Sequence, residues 1–232
     1  MPELPAFLAN VLEPRFARPA QVVEVEPLSP RFRRVRFAGQ ALRGVSFTPG
    51  QEIEFRVSAR AFRHYTPSRF DAEAGEVEVI FFLHGHGPGS RWAAELATGR
   101  EVNVLGPGGR LRLRDGREHV FLGDETTVGL FVAMAHAATA RVVGAIELDT
   151  DEHPVLEQIG LELDAIPRLG QRGEALLDWL GRNQQSPDIA RCFYLAGHTG
   201  TIVRLRSALR SAGWERTCIR TKPYWADGKR GL

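Results

Sequence analysis

The sequence predicts two domains in series: an antiparallel β-barrel over residues 18–115, then an α/β, Rossmann-like domain over residues 116–232. Two observations carry that expectation. From about residue 18 to residue 113, short runs rich in Val, Ile and Phe alternate apolar with polar residues or stay apolar throughout, as strands do. After about residue 117 similar runs alternate with helical segments, and strands joined by helices of this length build a parallel sheet.

In chain order the first half offers QVVEVEPL, RFRRVRFAG, QEIEFRVS, GEVEVIFFLH and REVNVLGP. Turn signals at Ser29-Pro30, Pro49-Gly50, Ala74-Gly75 and Gly106-Pro107-Gly108-Gly109 separate them. Short strands at this spacing suit a barrel or sandwich. In RFRRVRFAG, Arg34 and Arg36 alternate with Val35 and Phe37, the pattern of a half-buried strand with a charged outer face rather than of a basic binding patch. The second half opens with the strand EHVFLGD, the helix TTVGLFVAMAHAA and the strand ARVVGAIEL. Helical DEHPVLEQIG, strand-like ELDAIPR, helical EALLDWLGRN, the strand ARCFYLAG, the helix TIVRLRSALRSAG and the strand TCIRT complete it.

Composition excludes several classes of function. The 232 residues contain no apolar run of membrane-spanning length, and the N-terminal MPELPAFLANVLEPRF has no basic segment leading into an apolar one. A cytoplasmic protein without a membrane span is expected. A net charge of +2 makes no case for nucleic acid. Cys192 and Cys218 are too few for an iron–sulfur cluster or a four-thiolate zinc site, and are expected as buried, reduced thiols. Nearly all positive charge is arginine; Lys222 and Lys229, both near the C-terminus, are the only lysines. That clustering reads either as drift toward arginine or as a flexible cationic patch for an anionic ligand.

Four stretches carry chemistry. In RHYTPSRFD, residues 63 to 71, Arg63 and Tyr65 share one face of a strand while Thr66 points the other way. A guanidinium, a phenol ring and a hydroxyl so placed suit a flat anionic ligand, though a strand end with surface residues reads equally well. In HGHGPGSRW, residues 84 to 92, a glycine-rich turn leads from a strand into a helix expected to start near Ser90. Such a turn is either an anion site or a tight turn that Ser90 caps. His84 and His86 form an H-x-H pair with no third ligand at readable spacing, so no metal is expected. FLGDETTVGL and FYLAGHTG repeat the strand–turn–helix construction. Asp124 and Glu125 oppose phosphate at the first of these, while Thr126 and Thr127 can donate. In a parallel sheet both turns face the crevice at the carboxyl ends of the strands, where ligands bind.

Taken in order, R-x-Y-T-P, the H-G-x-G-P-x-S-x-W-A loop, G-D-E-T and K-x-Y-W-x-x-G resemble the siderophore-interacting proteins. These are FAD-dependent ferric-siderophore reductases with a ferredoxin reductase-like fold. The resemblance implies an FAD-binding barrel followed by an NAD(P)H-binding α/β domain. It assigns Arg63, Tyr65, Thr66 and Pro67 to the flavin, and His84 or His86 with Gly87, Pro88, Gly89, Ser90 and Trp92 to the FAD diphosphate. Thr126, Gly197, His198 and Trp225 would meet the cofactors from the α/β side. Where the family carries A-G-E this chain has Ala196, Gly197 and His198, which leaves the choice between NADH and NADPH open.

The implied activity is reduction of a ferric siderophore or other ferric chelate by a monomer. Electrons pass from NAD(P)H through flavin to Fe(III), so that Fe(II) is released. Lys222, Lys229 and Arg230 are expected at a basic mouth for the anionic chelate. Tyr224 and Trp225 are expected to pack at the flavin edge or to close the domain interface. Electron transfer needs no general acid or base, and no residue is assigned a catalytic role. Three other readings share the architecture: a flavin- or nucleotide-binding module without turnover, a flavoreductase serving a protein partner, and a flavin-free transferase.

Overall fold

The computed structural model describes residues 17–85, 87–183 and 190–229. The chain forms two compact units, one up to Arg112 and one from Leu113 on. Among the described residues, no helix is long and apolar enough to cross a membrane.

The first unit holds seven strands: β1 (Arg18–Pro27), β2 (Phe32–Ala38), β3 (Glu52–Arg56), β4 (Phe62–Tyr65), β5 (Arg69–Asp71), β6 (Glu76–Phe82) and β7 (Glu101–Gly108). They pair antiparallel in the order β4-β3-β7-β1-β2-β6-β5 and wrap, barrel-like, around one core. Alternation decides what faces inward. Val35 and Phe37 of β2, Ile53 and Phe55 of β3, and Val77, Val79 and Phe81 of β6 are all buried. On the outer face Arg34 pairs with Glu26, and Arg36 with Glu24 and Glu76, joining β1, β2 and β6 across the sheet. Helix α1 (Gly87–Ala94) lies between β6 and β7 and inserts Trp92 and Ala93 into the same core.

The second unit is a five-stranded parallel sheet made by β8 (Glu118–Asp124), β9 (Arg141–Leu148), β10 (Asp164–Pro167), β11 (Arg191–His198) and β12 (Ile219–Trp225). Helices α2 (Val128–Ala137), α3 (Pro154–Gln158), α4 (Glu174–Asn183) and α5 (Thr199–Ser211) connect them. The order β10-β9-β8-β11-β12 puts β8 and β11 at the centre, where every residue of both strands is buried. Their sequences run apolar without alternation for that reason. Leu176, Trp179 and Leu180 of α4 join Ile202, Leu205 and Leu209 of α5 against Phe193 and Leu195.

From β8 the chain steps outward to β9 and β10, then crosses back to β11, so the direction of winding reverses between β8 and β11. Asp124 closes that gap. Its buried carboxylate accepts from the backbone N–H of Thr126 at 3.0 Å, from the Thr126 hydroxyl, from the backbone N–H of His198 at 2.8 Å and from Nε1 of Trp225 at 3.0 Å. One side chain thereby ties the carboxyl ends of β8, β11 and β12. Gly197 makes room for it: a Cβ there would lie 2.4 Å from Asp124 Oδ2, and its φ of +96° favours glycine.

Two predictions follow from this packing. Asp124→Asn turns an NH₂ group toward donors and should cost about 1.5–3 kcal/mol, read as a lower denaturation midpoint with unchanged secondary structure. His119 is buried beside Phe121 and Tyr194, its Nδ1 has no hydrogen-bond partner among the described residues, and burial holds its imidazole below the usual histidine value. Since the folded value lies below the unfolded one, stability is complete above the unfolded value and is lost as pH falls through the folded one. His119→Phe should therefore lose less stability than the native chain between about pH 7 and about pH 5, measured by chemical denaturation at each.

Candidate functional site

Two places in the fold gather the residues singled out by sequence, one in each unit. In the first, strand β4 carries Arg63 and Tyr65 on one face, and helix α1 lies against them. The helix begins at Gly87 rather than at Ser90, so Ser90 sits in its first turn. The approach is so close that a Cβ on Gly89 would stand 2.7 Å from the Tyr65 hydroxyl oxygen and 3.2 Å from Arg63 Cγ. Ser90 Oγ accepts from the backbone N–H of Gly85 at 3.1 Å, folding the loop back onto the helix and leaving its own proton to donate elsewhere.

The supports of this site lie in the barrel core. Tyr65 meets Phe81 edge-on at 4.7 Å and faces Trp92 at 6.5 Å with the rings 24° apart; Trp92 packs on Phe55 at 5.0 Å. Trp92 is buried, so it anchors helix α1 to the barrel from beneath. Burial holds the Tyr65 phenol well above the usual tyrosine value, with Arg63 pulling the other way, and the hydroxyl stays neutral. Thr66 and Pro67 are buried in the turn between β4 and β5, which Ser68 fixes by donating its backbone N–H to the carbonyl of Glu78 at 2.9 Å. His84 is exposed at the start of the loop, and His86 lies outside the described residues.

The charge balance of α1 points one way. Arg33 donates to the carbonyls of Ala93 at 2.8 Å and Ala94 at 2.7 Å, quenching the negative end of the helix. No acidic residue stands in its first turn, and Arg63 donates from Nη1 to the carbonyl of Phe62 at 2.7 Å. The stem of Arg63, the N–H groups of a helix start and a serine hydroxyl thus gather where Gly89 leaves the backbone bare. That donor set fits a diphosphate, and so fits FAD.

The second place is the carboxyl end of the parallel sheet. Thr126, Gly197, His198 and Trp225 all meet around Asp124 there. Both donors of Thr126 are spent on the Asp124 carboxylate, and the Thr127 hydroxyl donates to the Asp124 carbonyl at 2.7 Å. His198 caps helix α5: its Nδ1 accepts from the backbone N–H of Thr201 at 3.3 Å, which places the ring proton on Nε2, 3.2 Å from Asp227. Its ring lies 4.6 Å from that of Trp225, whose other neighbour is the Arg172 guanidinium at 4.5 Å from the ring centre. Lys222 is half-buried on β12 opposite Ala196, Lys229 is exposed beyond the strand, and Arg230 lies outside the described residues.

Sequence reading missed part of this second site. It took Asp124 as an obstacle to phosphate, whereas D-x-T at a strand end is the signature of an aspartate that caps the next turn. Arg168 bonds Glu125 and lies 3.9 Å from Glu147 and 3.6 Å from Asp149, and Glu147 accepts from the backbone N–H of Gly173 at 3.0 Å. Burial raises the carboxyls of both Glu125 and Glu147 above the usual range. Nothing in the local sequence joins residues so far apart.

Residues 56–111 match the siderophore-interacting FAD-binding domain, and residues 116–228 match the siderophore-interacting protein domain. Ferric vibriobactin reductase ViuB of Vibrio cholerae is 25% identical over 186 residues, covering 72% of this chain and 65% of that protein. The chain therefore spans about two-thirds of that relative's length. A siderophore utilization protein from T. fusca has a solved structure that superposes with a TM-score of 0.80 at 26% identity, over 93% of this chain and 95% of that one. A ferredoxin reductase of carbazole 1,9a-dioxygenase shares the fold at 18% identity, with a TM-score of 0.76 over 90% of this chain and 69% of its own. With both family domains matched in order, the chain belongs to the siderophore-interacting protein family, whose fold is ferredoxin reductase-like.

Proposed function

We propose that the chain is an NAD(P)H-dependent ferric-chelate reductase acting as a cytoplasmic monomer, with FAD held by the barrel unit and a ferric siderophore or related chelate as substrate. The convergence of Arg63, Tyr65 and the Gly89 stretch of helix α1 carries this reading. When bound, a flavin accepts two electrons as hydride and releases them one at a time, which matches a two-electron donor to one-electron Fe(III). Everything else falls to the chain. Arg63 and the first-turn N–H groups of α1, with Ser90, offset the diphosphate charge; Gly89 keeps that approach open, and His84 and Gly87 flank it. Tyr65, locked by Phe81 and Trp92, presents a phenol that burial keeps neutral. Thr66 and Pro67 fix the strand end.

In the α/β unit the sheet's carboxyl ends would take the nicotinamide nucleotide beside Gly197, His198 and Trp225. Since Asp124 already consumes the turn donors, binding there rests on ring contacts and on the ribose more than on the diphosphate. Lys222, Lys229 and Arg230 supply positive charge for an anionic chelate. Fe(III) is gripped by hard oxygen anions more tightly than Fe(II), so reduction itself releases the metal.

The test begins with the visible absorption spectrum of the purified protein and chromatography of any released cofactor. A yellow protein that releases FAD, is bleached anaerobically by a reduced nicotinamide nucleotide and delivers Fe(II) to a trapping chelator supports the reading. A colourless protein that takes up no added FAD refutes it. Arg63→Ala should weaken FAD binding by about 1.5–3 kcal/mol, one to two orders of magnitude in dissociation constant, with the fold intact by circular dichroism. Replacing Lys222 and Lys229 together by alanine should raise KM for an anionic chelate and leave flavin content unchanged; an unaltered KM removes them from the substrate site.

A further inference from the structure

The carboxyl ends of β9 and β10 hold a group of charges that the assignment above does not use. Asp149 follows the last residue of β9, and Arg168 follows the last residue of β10; the two strands pair there, Leu148 opposite Pro167. Relative to β8, β9 is the next strand of the winding. In sheets of this kind the adenosine ribose of a dinucleotide is read at that strand end, where a carboxylate accepts from the 2′-hydroxyl or an arginine takes up a 2′-phosphate. Both residue types are present in this chain, 3.6 Å apart. Their surroundings decide which of them acts.

Arg168 is not available as a phosphate ligand. Its guanidinium bonds Glu125, lies 3.9 Å from Glu147 and reaches Asp149 on its third side. Glu147 is fully buried and Glu125 nearly so, and Arg168 is in contact with both. Drawing it away would strand two desolvated acids, a change that costs more than one exposed phosphate contact returns. Arg172, the other arginine that acts on these acids, has its guanidinium over the Trp225 ring. A 2′-phosphate would therefore bring about two further negative charges to a place where three carboxylates already share one clasped guanidinium.

We propose that the α/β unit selects NADH over NADPH: the adenosine 2′-hydroxyl donates to Asp149, while Glu125, Glu147 and Asp149 hold Arg168 away from any 2′-phosphate. This inference rests on the nicotinamide nucleotide binding at the carboxyl ends of the sheet. The experiment is titration of the purified protein with NAD⁺ and, separately, NADP⁺ by calorimetry, with the ratio of kcat/KM for NADH and NADPH as a second readout. Binding of NAD⁺ tighter by roughly tenfold or more is expected. Asp149→Asn, at a partly exposed position, should narrow that ratio by weakening NAD⁺ and strengthening NADP⁺. Equal or tighter binding of NADP⁺ overturns the selection but leaves the reductase reading standing, and so does a ratio that Asp149→Asn does not move. Failure of both nucleotides to bind removes the donor site itself, and this inference with it.

Discussion

Donors from the ends of three strands converge on the carboxylate of Asp124, and the α/β unit is organised around that convergence. A parallel sheet whose winding reverses leaves a gap between its two central strands, and backbone N–H groups at their ends point into it. Elsewhere in the fold those groups could wait for a ligand; in this chain an internal anion satisfies them. The cap at Thr126, the backbone N–H of His198 and the indole of Trp225 are then fixed with respect to one another by the fold itself. Glycine at position 197 and imidazole at position 198 both follow. The first makes room for the carboxylate, and the second turns away from it to cap helix α5.

The barrel unit is built on the opposite plan. Its polar groups near helix α1 have been quieted at one end only, by Arg33 at the carbonyl terminus, while the amino terminus faces Arg63 with no acid beside it. A helix start with no acid in its first turn is a favourable place for an anion. The two units thus differ in plan: an internal carboxylate gathers the donors of one, while the helix start of the other has no acid in its first turn.

The sequence made the architecture legible because burial leaves a periodic trace. The alternation in FRRVRF and the unbroken apolar runs of β8 and β11 separate an antiparallel sheet with one wet face from a parallel sheet covered on both. The spacing of Arg63 and Tyr65 likewise announced a shared face. The start of helix α1 at Gly87 was harder to see, since G-P-G reads as turn chemistry and the helix is held there by tertiary contact with Tyr65 and Trp92's neighbours rather than by propensity. The clasp of Arg168 was invisible for a different reason. Glu125, Glu147 and Arg168 come from separate strand ends, and only the order of strands in the sheet makes them neighbours.

The setting of Trp225 has an optical consequence. The other three tryptophans, Trp92, Trp179 and Trp214, are buried in the two cores, whereas Trp225 is only half-buried, between an imidazole and a guanidinium with a carboxylate on its indole nitrogen. Charged groups set around an indole shift its emission, and a ligand that displaced Arg172 from the ring would change that emission without touching the other three. The protein thus carries its own fluorescent reporter at the carboxyl end of the sheet, in a place where no label need be introduced.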